Sequence, residues 1–128
     1  MQTSIKKILI IDDDDRNIFA LKAVLTAKGF TCITAAGGLQ ALGILLQEPD
    51  VNVALVDMMM PGMDGYEVIH EARKNVLLHH VKLIAVTAQA MIGDREKCLA
   101  AGADGYVSKP VDIDKLLLAL NDTLKRRG

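Results

Sequence analysis

Five short apolar runs, each followed by a stretch with helical periodicity, restrict this chain more than any other feature of its 128 residues. Lys6–Ile11, Thr31–Ala35, Val51–Val56, Val81–Val86 and Asp104–Ser108 are too short for helices and are expected to be strands. Between them the spacing predicts helices. The first runs from Asp15 to Lys28 on Ala20, Leu21, Val24 and Leu25, with Gly29 as its C-terminal cap. The second opens at Gly37-Gly38, presents Leu39, Leu42, Leu45 and Leu46, and stops before Pro49. The third follows Asp64-Gly65 on Val68, Ile69 and Ala72, and the fourth spans Met91–Ala101 up to Gly102. Asp112 caps the last, which runs through Leu116, Leu117 and Leu120.

Strict alternation with short connections leaves little topological choice. Parallel pairing with right-handed crossovers puts helices on both faces of one sheet, an α/β doubly wound fold of five strands. Val53–Val56 carries no polar member, as a strand covered on both faces requires. All strands then end at one edge, which collects Asp12, Asp13, Asp57, Thr87 and Lys109 from strands one, three, four and five. Strand two ends in Ala35-Ala36 and belongs at the margin, giving the flavodoxin-like order 2-1-3-4-5. An acid has no packing reason to follow Val53–Val56 directly, so Asp57 is expected to be the reactive group.

At this length, residues 1–128 are expected to form one domain. Hydrophobic residues make up 51% and aromatic ones only 3%, so the core must be mostly aliphatic. Fifteen basic against sixteen acidic residues give a net charge of -1, without the basic excess that nucleic-acid binding needs. Met1–Lys7 lacks an apolar signal core and no apolar run approaches the ~20 residues of a membrane span, so a soluble, cytoplasmic protein is expected. Cys32 and Cys98 form no Cys-x-x-Cys pair and read as buried free thiols.

Three carboxylates converging on one edge repel each other and need a cation. With only oxygen ligands on offer, a hard divalent ion such as Mg²⁺ fits, held by one or two carboxylates while keeping several waters. Lys109 adds a positive charge and Thr87 a hydroxyl, so the edge suits an anionic group such as phosphoryl approaching the metal.

These residues resemble the receiver domain of two-component response regulators over essentially the whole chain. Ile8–Asp13 is similar to that family's first strand and acid pair, and Asp57–Gly65 to its phosphoacceptor signature. Thr87-Ala88 and Lys109-Pro110 resemble its switch threonine and its lysine, with Tyr106 at its switch aromatic position. Asn17, Gly93–Glu96 and Lys97–Gly102 are most similar to receivers attached to hybrid sensor kinases. The resemblance implies that Asp57 accepts phosphate from a phosphohistidine of a histidine kinase or phosphotransfer domain. It implies Mg²⁺ bound by Asp13, Asp57 and the Met59 carbonyl, with Asp12 acting through a metal-bound water. Lys109 and Thr87 would each contact a phosphoryl oxygen, and Tyr106 would turn inward behind Thr87. A downstream effector would then read the face made by the fourth helix, fifth strand and fifth helix. A cis Lys109-Pro110 bond is expected, as is slow self-dephosphorylation, because neither Met59 nor Gln89 supplies a base to a water.

The remaining polar residues have plainer accounts. Asp14 and Asp15 are first-turn acids that favour a helix N-terminus. Met58, Met59, Met60 and Met63 suit gap-filling and loop packing, and His70, His79 and His80 are expected to be exposed. Lys125-Arg126-Arg127 ends a helix and needs no nucleic acid to explain it. Asp15 stands where the resembling receivers often have Pro. The alternative function is a Mg²⁺-dependent phosphohydrolase with an Asp nucleophile, but its Asp-x-Asp pair is missing at Asp57, where Met59 takes the second place. A flavodoxin-like electron carrier is disfavoured, since four aspartates after the first strand would repel a flavin phosphate.

Overall fold

The computed structural model describes residues 5–88 and 92–125. Five strands, β1 (Lys7–Ile11), β2 (Cys32–Ala35), β3 (Val51–Asp57), β4 (Lys82–Thr87) and β5 (Gly105–Ser108), pair in the order β2-β1-β3-β4-β5. Every pairing is parallel, as strands joined through helical crossovers are expected to be. Helices α1 (Asp15–Ala27), α2 (Gly38–Gln47), α3 (Gly65–Lys74), α4 (Asp94–Ala101) and α5 (Ile113–Lys125) make the crossovers, with one 3-10 turn at Val76–Leu78.

Alternate residues of each strand feed opposite cores. Leu9, Ile11, Ala54, Val56, Leu83 and Ala85 pack against Ala41, Leu45, Val68, Ile69 and Cys98 of α2, α3 and α4. Ile8, Ile10, Val53, Leu55, Ile84 and Val86 pack against Leu25 of α1 and Leu116 and Leu120 of α5. Two covered faces explain why Val53–Val56 of β3 is an unbroken apolar run rather than an alternating one. Cys32 and Cys98 are both buried free thiols, as expected.

Helix ends follow local chemistry. The Asp14 carboxylate caps α1 by accepting from the Arg16 amide, and Asp64 and Glu67 form a reciprocal capping box on α3. Gly93 and Gly102 bracket α4 at φ of +89° and +119°, a left-handed conformation that favours glycine. The fourth helix is therefore shorter than its apolar pattern predicts, starting at Asp94; Met91 lies outside the described residues.

Two predicted helix faces are corrected. In α1, Ala20 and Val24 are exposed, and the packed stripe is Ile18, Leu21 and Leu25. Val24 sits roughly a quarter turn from that stripe, so apolar character extended beyond the buried arc. In α2, Leu39 and Leu46 flank the buried Gly38-Ala41-Leu45 line and face outward.

At the sheet edge where strands begin, Arg73 ties three segments together. Its guanidinium donates to Gly102 O and Val81 O, each at 3.0 Å, and to Asp104 Oδ2 at 2.5 Å. The same Asp104 oxygen accepts from the Leu83 amide at 2.8 Å, joining α3, β4 and the turn into β5. His70, His79 and His80 are exposed, as expected.

Candidate functional site

β1 and β3 are neighbours in register Ile11↔Val56, so the residues that follow, Asp12 and Asp57, emerge side by side. Asp57 is the last residue of β3 and Thr87 the last of β4, while β5 ends at Ser108 and delivers Lys109 to the same edge. Asp12, Asp57 and Thr87 are buried at 3%, 3% and 2% exposure, whereas Asp13 is open to solvent. One oxygen from each of Asp12, Asp13 and Asp57 lies within 4.8 Å of the others.

Charge compensation comes from Lys109. Its Nζ lies 3.3 Å from Asp12 Oδ2 and 3.4 Å from Asp57 Oδ1. The Met59 amide also donates to Asp57 Oδ1, at 3.1 Å, and the Asp14 amide donates to Asp12 Oδ1 at 2.9 Å. Burial pushes the Asp57 carboxyl up to about 6; the Met59 amide and Lys109 pull against it, and the Asp12 charge adds to it. Burial alone would lower the Lys109 ammonium, but the carboxylates of Asp57 and Asp12 outweigh it and leave the group raised. Lys109-Pro110 is a cis peptide, as expected, and the Lys109 amide donates to Thr87 O at 2.7 Å.

The donor set suits a hard divalent cation: three carboxylates, all oxygen, two buried and one on the solvent side where waters can complete the shell. The methionines of the adjoining loop do not compete as ligands. Met58 and Met60 are buried in the core and Met63 packs against it, but Met59 is 55% exposed, a correction to its expected packing role only in so far as its side chain fills no gap.

Tyr106 lies on β5 in register with Ala85, half-buried beneath α4. Its hydroxyl donates to Asp94 Oδ2 at 3.0 Å, and burial together with that carboxylate pushes it up to about 12. Asp94 is the contact that sequence reasoning missed, because an acid at the start of a helix is sufficiently explained by the helix dipole. A groove of about 490 Å³ also escaped notice. It runs between α1 and the Lys109–Ile113 loop, polar at Asp12 and Lys109 and apolar along Leu21, Val24, Val111 and Ile113. Gln89 lies outside the described residues.

The doubly wound five-stranded sheet thus carries an acid trio and a lysine together at its carboxyl edge. The chain belongs to the response regulator receiver domain family, whose model matches residues 8–121. It is 36% identical over 121 residues to the response regulator PleD of Caulobacter vibrioides, covering 94% of this chain and 26% of PleD, so it spans about a quarter of that relative. It is 31% identical over 119 residues to the polar-differentiation response regulator DivK of Brucella ovis, covering 93% of this chain and 96% of DivK. A receiver domain protein (CheY-like) from Methanospirillum hungatei superposes with a TM-score of 0.83 at 36% identity, over 94% of both chains.

Proposed function

We propose that this receiver, a single domain over residues 1–128, takes a phosphoryl group onto Asp57 from the phosphohistidine of a histidine kinase or phosphotransfer domain. The observation that carries this reading is the placement of Lys109 Nζ within 3.4 Å of Asp57 Oδ1, beside three clustered carboxylates. An Asp57 oxygen attacks phosphorus in line, the phosphorus–nitrogen bond breaks, and the imidazole leaves and recovers a proton from solvent. Asp13, Asp57 and the Met59 carbonyl would hold Mg²⁺, with Asp12 acting through water, and an ion held there would supply positive charge against the transferring oxygens. Lys109 and Thr87 would take up phosphoryl oxygens, and the apolar wall of the groove beside Lys109 gives the donor protein a surface to lie against.

Thr87 and Tyr106 would convert the event into altered partner binding on the face of α4, β5 and α5. The proposed partners are proteins, in the cytoplasm, with no role for nucleic acid or membrane; the formal charge of -1 supports the first exclusion. The phosphohydrolase alternative is weaker, since the position of its second acid is held by the exposed thioether of Met59. Intact mass after incubation with acetyl phosphate and Mg²⁺ tests the proposal. Wild type should gain one phosphate and Asp57→Asn none; a gain that survives the substitution refutes it.

A further inference from the structure

We propose that Asn17 is a positioning residue for Asp12, keeping its carboxylate aimed at the metal when Lys109 turns to a phosphoryl group on Asp57. The proposal rests on the function proposed above. Asp12 is 3% exposed, and a charge so far from water needs hydrogen-bond partners on both oxygens. Oδ1 has the Asp14 amide at 2.9 Å. Oδ2 has two donors, Lys109 Nζ at 3.3 Å and Asn17 Nδ2 at 3.4 Å, both longer than the usual ~2.9–3.0 Å.

Lys109 is divided between two acids, lying 3.4 Å from Asp57 Oδ1. Phosphorylation adds about -1.5 to -2 charges at Asp57, which draws the ammonium that way. Asn17 is then the side-chain donor left on Asp12 Oδ2 among the described residues. It sits on the third residue of α1, and Asp14 already caps that helix, so Asn17 is not spent on the helix end. A carboxamide donates without adding charge. An acid in its place would repel Asp12, and a lysine would compete with the cation.

The test is Mg²⁺ titration calorimetry on wild type, Asn17→Ala, Asn17→Leu and Asn17→Gln, each with and without beryllofluoride as the phosphoryl mimic. Leu keeps the volume without the donor, and Gln keeps the donor. We expect Ala and Leu to weaken Mg²⁺ binding about fivefold in the free chain and about tenfold with beryllofluoride, within the range of one net hydrogen bond. Gln should recover most of the loss, and thermal unfolding in chelator should be unchanged for all three. Wild-type Mg²⁺ affinity in both Ala and Leu overturns the inference, as does a loss that Gln does not repair or that accompanies lowered unfolding temperature. Absence of Mg²⁺ binding by wild type itself instead overturns the metal assignment, and this inference with it.

Discussion

The ammonium of Lys109 and the carboxylate of Asp57 stand 3.4 Å apart at the end of β3, the acid almost closed to water and the lysine partly open to it. Removing that cation leaves Asp12 and Asp57 to repel each other. Lys109→Ala is expected to lower stability by about 1–2 kcal/mol in chelator, with Mg²⁺ restoring most of it. Partner binding after phosphorylation should suffer far more than folding. Denaturant unfolding with and without Mg²⁺, beside a binding assay, separates the two; equal activation of variant and wild type would refute the role.

The raised Asp57 carboxyl has a stability consequence whose sign is fixed. Its folded value of about 6 exceeds the ordinary 3.8, so its contribution favours folding fully below about pH 4 and is lost as the pH rises through about 6. At pH 8 the ionised group therefore costs about 3 kcal/mol relative to a neutral one. Asp57→Asn in chelator should raise Tm by about 10 °C at pH 8 and leave it nearly unchanged at pH 4. Calorimetry at the two pH values checks this, and an equal shift at both would sink it.

Tyr106 and Asp94 make a hydrogen bond between a half-buried hydroxyl and a carboxylate that is 9% exposed. Tyr106→Phe should cost about 1–2 kcal/mol and speed amide hydrogen exchange at the start of α4, not in β1 or β3. Uniform acceleration across the sheet would show that the bond does not act locally.

Met59 is exposed two residues beyond Asp57 and offers a water no hydrogen-bond partner of strength. Met59→Asn should therefore speed loss of phosphoryl label from purified protein severalfold. An unchanged lifetime would exclude water orientation at this position as the limiting factor.

Arg73 makes three hydrogen bonds to α4, β4 and the turn before β5. Arg73→Ala should destabilise by about 3 kcal/mol, since it also leaves Asp104 without its cation. Arg73→Lys cannot reproduce the planar fork and should recover less than half, as urea unfolding of the three proteins would reveal.

The strands and the reactive edge were legible because each depends on short-range pattern: a β-branched run ending in a polar residue. Topology then brings Asp12 and Asp57 together without any long-range information. Helix faces were less legible. Leucine and valine at Leu39, Leu46 and Val24 continue the helical period past the arc that touches the sheet, and periodicity carries no measure of that arc's width. Arg73–Asp104 and Tyr106–Asp94 join residues 31 and 12 apart through polar side chains, and no local signal announces such pairs. The groove beside Lys109 was hidden for the same reason that Val24 was misplaced.

Gly102 ends α4 in the left-handed region, and its carbonyl is held by Arg73 Nε. The opposite end of α4 starts after Gly93 and is fastened by a side-chain bond to Tyr106, the residue two before the end of β5. α4 is thus tied at both ends by side chains of other elements. Over eight residues it is roughly 12 Å long, so a tilt of about 10° carries its far tip about 2 Å. A tilt of that size would have to break or drag the Tyr106–Asp94 hydrogen bond, which couples the tip of α4 to β5.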